Sequence, residues 1–222
     1  RCISQSSIKN SLFCASKDIN PQIFDLCKDY FVTDLTNISD IVSYSKKTEV
    51  DFAIIGPENP LANGIVNELE NVGVGCVGPK KEVALIETSK TFARKIIDRC
   101  CPEKNPQRKE FSSIEGVESF IKQLGGEYVI KFDGLMGGKG VRVSGEHLKN
   151  IDEGVAYANE IINIGGNFLI EEKLVGEEFS LMSFVDGKVC KHMPVVQDHK
   201  RAYEGDTGPN TGGMGTYSFG NH

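Results

Sequence analysis

The sequence predicts two successive units that both combine helices with strands, first an α/β unit with a parallel sheet and then an α+β unit with an antiparallel sheet. Short apolar runs alternate with helical patterns over the first 88 residues, which is typical of parallel sheets. A charged segment bounded by Pro102 and Pro106 then predicts a linker. Beyond it, strand-like runs flank a glycine-rich loop at residues 133–140, so the returning strand is expected to be antiparallel.

In the first unit, apolar runs predict four strands, and the residues between them predict helices. The strands are expected at residues 12–15, 31–33, 51–55 and 74–77. Asn20 with Pro21, and Asn37, are expected to start helices, because asparagine caps free N–H groups and proline fits the first turn. The run at 51–55 predicts a buried strand that Gly56 and Pro57 end. The unit is therefore expected to hold a parallel sheet with helices on both faces.

A GxGxxG pattern of the dinucleotide-binding type occurs at residues 73–78, but its context is wrong. The motif requires a preceding strand and a following helix. Here a helical pattern precedes it, its middle residues are strand-like, and Pro79 follows at once. We interpret the segment as a strand between two turns and expect no nicotinamide site there.

In the second unit, the apolar periodicity predicts helices at residues 114–124 and 148–162 and strands at 128–132, 141–143 and 168–170. Asp186 with Gly187 predicts a hairpin turn between strands at 179–185 and 189–196. Residues 206–215 are so rich in glycine that no regular structure is expected there.

The composition is that of an ordinary globular protein and excludes several functions. Apolar residues make up 39% of the 222 residues, which is enough for a core. The formal net charge of −6 argues against a broad nucleic-acid-binding face, and no apolar run is long enough to cross a membrane. The seven cysteines form no CxxC pair, so we expect reduced thiols in a cytoplasmic protein rather than a zinc site.

A loop rich in glycine and lysine follows the strand at 128–132 and is the first candidate site. It does not match the Walker A pattern. Its glycines still allow backbone N–H groups to converge on phosphate oxygens, and its lysines supply positive charge. The alternative is a flexible hairpin with incidental lysines. The candidate phosphate ligands are Lys131, Gly134, Gly137, Gly138, Lys139 and Gly140.

Two further segments are candidates for binding a nucleotide and an anionic substrate. The strand at 168–170 runs into Glu171 and Glu172, which could border an adenine, with a carboxylate nearby for a ribose. Taken alone, this segment is better explained as a strand end with solvated acids. The basic run that includes Lys200 and Arg201 lies beside a long glycine-rich loop at 205–215. A loop of that length is often functional, although a solvated charged face is the simpler alternative.

Together these segments resemble the ATP-grasp ligases, and more narrowly the phosphoribosylamine–glycine ligase family, also called glycinamide ribonucleotide synthetases. The similar segments are residues 56–61, 87–93, 131–134, 137–141, 170–172, 176–178, 197–201 and 205–215. The last two are the most specific, because other ATP-grasp enzymes share the phosphate loop but not this tail.

The resemblance implies an N-terminal parallel-sheet α/β domain followed by an incomplete ATP-grasp fold. Residues 1–88 would be the Rossmann-like domain, 89–107 a helix and linker, 108–174 the lid subdomain and 175–222 the start of the central subdomain. The implied reaction joins glycine to 5-phosphoribosylamine and gives glycinamide ribonucleotide, ADP and phosphate through glycyl phosphate, in purine biosynthesis. Small molecules would be the only partners, with neither nucleic acid nor membrane, and the protein would be a monomer or homodimer.

The resemblance also assigns roles to residues. ATP would be bound by the loop residues named above and by Lys90, Glu171, Glu172, Leu174 and Glu178, of which Glu178 would hold the ribose. The substrate-binding residues would be Gly56, Pro57, Glu58, Asn210, Thr211, Gly212 and Gly213. The catalytic residues would be Lys200, Arg201 and Asp206.

The chain departs from the family at both ends. The family begins with a strand and a turn that ends in Gly-Arg-Glu-His, whereas only Arg1 corresponds here and Cys2 stands where glutamate is expected. Its magnesium-binding residues are expected beyond residue 222, so no metal ligand is assigned here, although Mg²⁺ is expected for the complete enzyme. The 222-residue piece is therefore expected to be inactive alone. Two alternatives are another ATP-grasp carboxylate–amine ligase and a catalytically inactive nucleotide-binding module.

Overall fold

The computed structural model of the chain describes residues 3–136 and 139–218. They separate into two compact units, with the boundary between Ile96 and Ile97. Each unit has a hydrophobic core of its own. Among the described residues, no helix combines the length and the apolar character that a membrane crossing requires.

The first unit alternates strands with helices, as the sequence predicts. Its elements are β1 (Phe13–Ser16), α1 (Pro21–Phe24), β2 (Asp29–Val32), α2 (Ile38–Lys47), β3 (Phe52–Ile54), α3 (Glu58–Ala62), α4 (Ile65–Asn71), β4 (Gly75–Val77), α5 (Lys81–Thr88) and α6 (Lys90–Cys100), which crosses the boundary. β1 pairs with β2 and β3 with β4, and both pairs are parallel. The parallel α/β prediction is confirmed, although the described strands pair two by two instead of forming one sheet.

Two helices of this unit begin at the asparagines that were expected to cap them. At the start of α1, Asn20 accepts a hydrogen bond from the N–H of Ile23 at 3.2 Å, and Pro21 is the first helical residue. At the start of α2, Asn37 accepts one from the N–H of Asp40 at 3.4 Å. Both caps satisfy donors that the first helical turn leaves free.

The core of the first unit is built mainly by α3, α4, α5 and the residue that precedes β4. Its buried side chains are Leu61, Ile65, Val66, Leu69, Val74 and Ala84. The prediction of a buried β3 is wrong, because Phe52 and Ile54 are 54% and 57% exposed. Side chains alternate along a strand, so only Ala53 and the following Ile55 pack against this core.

The GxGxxG segment forms a strand, as expected. β4 occupies its middle and follows α4 directly, and Pro79 follows Gly78. Gly78 has a φ of +151°, and a Cβ there would lie 3.0 Å from a methyl group of Leu61. This glycine is therefore explained by packing and not by a dinucleotide.

The second unit begins with an antiparallel sheet and two helices. The elements are β5 (Arg108–Phe111), α7 (Val117–Gln123), β6 (Tyr128–Phe132), β7 (Val141–Val143), α8 (Ile151–Asn163) and β8 (Phe168–Glu172). The strand order is β5-β8-β6-β7, and all neighbours are antiparallel. The α+β prediction is confirmed. β5 was not predicted, because its Arg-Lys-Glu-Phe sequence is mostly charged.

One face of this sheet packs against α7 and α8 and forms the larger core. On β6 and β8 the side chains that belong to this core are Tyr128, Ile130, Phe168 and Ile170. The alternate residues of the same strands, Val129, Lys131, Leu169 and Glu171, therefore face the opposite side. Lys131 and Glu171, two charged groups, thus lie on the face opposite α7 and α8.

The rest of the second unit consists of short strands. They are β9 (Ser183–Val185), β10 (Cys190–His192), β11 (Val196–Asp198), β12 (Arg201–Tyr203), β13 (Thr207–Asn210) and β14 (Thr216–Ser218), and they pair as β9–β10, β11–β14 and β12–β13. The hairpin turn at Asp186 and Gly187 is confirmed, because Asp186 accepts hydrogen bonds from the N–H groups of Lys188 and Val189 at 2.9 and 2.7 Å.

The prediction that residues 206–215 lack regular structure is wrong for β13. This strand pairs with β12 in the register Arg201 to Asn210 and Tyr203 to Thr207. Gly208 has a φ of +85°, and the ring of Tyr203 fills the space that a Cβ would need. The glycine therefore allows the hairpin to form.

Candidate functional site

Lys131 and Glu171 form an ion pair on the face of the four-stranded sheet opposite α7 and α8. Val129 is directly opposite Glu171 in the register, so Lys131 lies two residues along the same face, within reach of long side chains. Lys131 Nζ lies 2.6 Å from Glu171 Oε2. The carboxylate side chain is 2% exposed and that of the lysine 25%. The pair therefore places a partly accessible ammonium group at the end of β6.

The loop after Lys131 is closed by its own backbone. The N–H of Phe132 donates to the carbonyl oxygen of Gly140 at 2.8 Å, and the N–H of Lys139 donates to that of Met136 at 3.0 Å. A Cβ on Gly134 would lie 2.7 Å from the Phe132 ring, and one on Gly140 would lie 2.9 Å from Met136. Both glycines are thus required sterically, and Lys139 is exposed. The predicted ligands Gly137 and Gly138 lie outside the described residues.

Glu172 and Leu174 follow the ion pair at the end of β8. The Glu172 carboxylate accepts a hydrogen bond from the N–H of Gln107 at 3.1 Å, and its own N–H donates to the Gln107 carbonyl oxygen at 2.9 Å. Leu174 is 68% exposed. The structure therefore attaches Glu172 to the segment before β5 and leaves the Leu174 side chain accessible.

Glu178 and Lys200, which were expected to act on different parts of the substrates, form an ion pair. Lys200 Nζ also lies 3.9 Å from Asp198 Oδ1. A shallow cavity of about 140 Å³ opens beside Glu178 and is lined by Glu177, Glu178, Phe179, Val195, Val196 and Gln197. The structure thus brings the two predicted site residues together, and Glu178 also lines this cavity.

The loop from Asn210 to Gly213 is attached to the backbone of Lys200. Thr211 donates to the Lys200 carbonyl oxygen through its N–H at 2.7 Å and through its hydroxyl at 3.0 Å. The N–H of Gly213 donates to the Thr211 hydroxyl at 3.0 Å. Asp206, in contrast, lies in the exposed turn at the tip of the β12–β13 hairpin, with a φ of +55°. Lys200 and Thr211 are therefore neighbours, whereas Asp206 lies at the other end of the hairpin.

Arg201 is directed to the turn between β7 and α8. Its guanidinium forms an ion pair with Glu146, donates to the carbonyl oxygen of Gly208 at 2.9 Å, and has Nη1 3.4 Å from Nε2 of His147. Burial lowers the pKa of His147, and Arg201 and Arg142 lower it further, while Glu146 opposes them. No sequence pattern predicted Glu146 or His147, because each lies more than fifty residues from Arg201 along the chain.

The first unit holds the remaining predicted site residues. Gly56 and Pro57 follow β3, and Glu58 is the first residue of α3. The carboxyl end of a parallel strand is a frequent position for ligand-binding loops. Lys90 is half-buried at the start of α6. Of the predicted residues in this unit, the structure brings Gly56, Pro57 and Glu58 into a single turn.

Two family models match the chain in succession. A model described as "Phosphoribosylglycinamide synthetase, N domain" matches residues 1–87. A second model, described as "Phosphoribosylglycinamide synthetase, ATP-grasp (A) domain", matches residues 88–222. Together they extend over the chain from its first residue to its last.

Named relatives and solved structures agree with these matches. The chain is 44% identical to the phosphoribosylamine–glycine ligase of Methanococcoides burtonii over 216 residues, 97% of this chain and 50% of that protein. The crystal structure of the phosphoribosylamine–glycine ligase of Thermotoga maritima has a TM-score of 0.70 at 27% identity, over 89% of this chain and 47% of that one. An ADP complex of N5-carboxyaminoimidazole ribonucleotide synthetase has a TM-score of 0.62 at 17% identity, over 85% and 48%, which is a likeness of fold alone.

These likenesses confirm that the second unit has an ATP-grasp-like fold. The chain spans about half the length of the curated relatives it matches.

Proposed function

Because this chain belongs to the phosphoribosylglycinamide synthetase family, we propose that the protein containing it joins glycine to 5-phosphoribosylamine in an ATP-dependent reaction. The observation that carries this proposal is the succession of an N domain and an ATP-grasp domain of one family over residues 1–222. Relatives that are 41–44% identical and named phosphoribosylamine–glycine ligase support the same assignment.

The proposed reaction has two steps. A carboxylate oxygen of glycine attacks the γ-phosphorus of ATP, the bond to the β–γ bridging oxygen breaks, and glycyl phosphate and ADP form. The amine of phosphoribosylamine then attacks the acyl carbon, phosphate leaves, and the amine loses a proton. Neither step requires a protein nucleophile. The protein's tasks are therefore positioning, charge neutralisation and exclusion of water.

We assign the nucleotide to the end of β6, on the face of the four-stranded sheet opposite α7 and α8, where Lys131 is partly accessible. The ammonium group of Lys131 lies at the start of the glycine-rich loop, where it would neutralise phosphate charge. The loop residues from Gly134 to Gly140 would cover the phosphates with their N–H groups. The further proposed ATP ligands are Lys90, Glu171, Glu172, Leu174 and Glu178.

We assign the acceptor substrates to the segment around Lys200. Lys200 supplies positive charge, and the loop from Asn210 to Gly213 is attached to its backbone through Thr211. Gly56, Pro57 and Glu58 are proposed to contribute to phosphoribosylamine binding. Asp206 remains a proposed catalytic residue by resemblance, and its place at the hairpin tip gives it no contact with Lys200.

The family resemblance implies Mg²⁺ together with ATP. Across residues 3–136 and 139–218, no three His, Cys, Asp or Glu side chains lie close enough to hold a metal ion. Within those residues the side chains therefore do not form a dedicated metal site.

The test is product formation by the full-length protein. With ATP, glycine and phosphoribosylamine we expect ADP, phosphate and glycinamide ribonucleotide, and omission of either glycine or phosphoribosylamine should reduce ADP release to background. A panel of other carboxylates and amines serves as the comparison. ADP release with a different pair only would identify another ATP-grasp ligase, and ATP binding without any turnover would identify a nucleotide-binding protein. Either result would refute the proposal.

A further inference from the structure

The guanidinium of Arg201 is held from three sides. Glu146 supplies a carboxylate, Gly208 a carbonyl oxygen at 2.9 Å, and His147 an imidazole nitrogen at 3.4 Å. The arginine side chain is 20% exposed and that of Glu146 39%. The arginine thus connects the β12–β13 hairpin to the turn that follows β7.

Glu146 is itself held by the four-stranded part of the unit. Its Oε1 lies 3.8 Å from Lys173 Nζ, while its Oε2 pairs with Arg201. Lys173 also donates to the carbonyl oxygen of Ser144 at 3.1 Å, and the buried Ser144 hydroxyl accepts a hydrogen bond from the N–H of Tyr128 at 2.9 Å. The carboxylate is therefore shared between two cations, one of which is attached to the sheet.

Lys200, which precedes β12, and Arg201, its first residue, are directed to different partners. Lys200 contacts Glu178, whereas Arg201 contacts Glu146. The carbonyl oxygen of Lys200 accepts both hydrogen bonds from Thr211. Holding Arg201 therefore fixes the backbone that carries Lys200 and the loop at 210–213.

We propose that Glu146 is a positioning residue for the ligase site, because it holds Arg201 and thereby orients Lys200 and the loop at 210–213. This inference rests on the proposed function. In this arrangement Arg201 attaches the β12–β13 hairpin to the turn after β7. Lys200 is then the cation that is proposed to face the acceptor substrates.

The substitution Glu146→Gln tests this role with little change of shape. A charge-assisted hydrogen bond is roughly twice as strong as a neutral one. The amide would weaken the contact with Arg201, and Lys173 and Arg201 would lose the negative charge that separates them. Glu146→Asp keeps the charge on a shorter side chain and should rescue part of the effect.

The pKa of His147 depends on Glu146 and Arg201 and can be measured in solution without any turnover. Its Nδ1 faces the N–H of Val143 at 3.3 Å, and its charged neighbours are Arg201, Arg142 and Glu146. Glu146 raises the pKa of His147 and Arg201 lowers it. Glu146→Gln should therefore lower this pKa, whereas Arg201→Gln should raise it. An NMR titration of labelled histidine rings in the full-length protein measures both shifts.

Steady-state kinetics of the full-length protein test the positioning role. We expect Glu146→Gln to lower kcat/KM for phosphoribosylamine roughly tenfold, as loss of a charged hydrogen bond would, with the KM for ATP nearly unchanged. The matched control is Glu118→Gln, which removes an exposed carboxylate paired with Lys122 on α7 and should change neither parameter.

Two results would overturn the inference: unchanged kcat/KM in Glu146→Gln, or a His147 pKa that does not move in opposite directions in the two variants. A wild-type protein that forms no glycinamide ribonucleotide would instead overturn the proposed function. In that case the histidine titration still tests whether Glu146 and Arg201 both lie beside His147.

Discussion

At the end of β6, the ammonium of Lys131 reaches the surface while the carboxylate of Glu171 is enclosed by protein. The charge of a buried carboxylate has to be compensated, and substitution of Lys131 removes one cation that compensates Glu171. Lys131 therefore has a structural task beside its proposed contact with phosphate. A substitution there changes stability and ATP use together, so the two effects have to be separated.

In the full-length protein, we expect Lys131→Ala to raise the KM for ATP roughly tenfold, through loss of a charged contact with phosphate. We also expect it to lower the free energy of unfolding by about 2–3 kcal/mol. Lys131→Gln combined with Glu171→Gln removes both charges and should recover stability without recovering the KM. Initial rates and denaturant unfolding measure the two effects, with the exposed Lys122→Ala as control. An unchanged KM for ATP would remove Lys131 from the site.

The pKa of His147 lies below its ordinary value of 6.5, because burial and the charges of Arg201 and Arg142 disfavour the imidazolium. The unfolded chain therefore takes up this proton first as the pH falls. The stabilisation that His147 contributes is complete above its pKa in the unfolded chain. It is lost as the pH falls through its lower pKa in the folded protein. Thermal unfolding of the full-length protein at about pH 7.5 and about pH 5.5 brackets much of this window. The decrease in Tm between the two pH values should be smaller in His147→Gln than in the wild-type protein. An equal decrease in both would contradict the lowered pKa of His147.

At the scale of elements, α8 packs on β6 through a glycine. A Cβ on Gly154 would overlap the hydroxyl of Tyr128, which is 1% exposed and donates to the carbonyl oxygen of Asn150 at 3.3 Å. Asn150 in turn caps the helix by accepting from the N–H of Glu153 at 2.9 Å. The close approach of helix and strand therefore depends on this glycine.

We expect Gly154→Ala to destabilise the protein by about 1–3 kcal/mol, because overpacking outweighs helix propensity here. Helix propensity alone predicts the opposite effect of Gly154→Ala, a stabilisation of about 1 kcal/mol. Ala156→Gly, at an exposed position of α8, measures the propensity effect in the same helix. The comparison is made by denaturant unfolding, and a more stable Gly154→Ala variant would show that the helix can move away from Tyr128.

At the scale of the whole chain, exposed apolar side chains concentrate around β9 and β10. They include Val175, Phe179, Met182, Phe184, Val185 and Val195. Contiguous exposed apolar surface favours association and the binding of apolar ligands. This part of the chain is therefore expected to dominate the solution behaviour of the 222-residue polypeptide.

We expect the 222-residue polypeptide to bind an apolar fluorescent dye through this surface. Phe184→Lys should reduce the bound dye clearly, because it places a charge in the middle of the cluster. Ile164→Ser removes a side chain that is 70% exposed outside the cluster and should have little effect. Equal losses in both variants would show that the dye binds elsewhere.

Local patterns predicted the elements whose structure depends on residues close in sequence. Asn37 caps α2, and Asp186 with Gly187 forms the hairpin turn, because the hydrogen bonds involved span two or three residues. β5 and β13 were not predictable in this way. Arg108–Phe111 becomes a strand because β8 provides an edge to pair with, and Thr207–Asn210 becomes one because β12 does.

The sequence by itself determined the two fold classes, and it located the glycine- and lysine-rich loop after Lys131 and the basic segment beside the glycine-rich tail. Only the tertiary structure decided which charges meet. Glu178 and Lys200 are 22 residues apart along the chain, and Glu146 and Arg201 are 55 apart. Ion pairing depends on distance in space, and that distance is set by strand register and by the loops that join the strands. The family resemblance places Arg201 among the catalytic residues, and the fold adds a contact with Glu146 that no sequence pattern indicated.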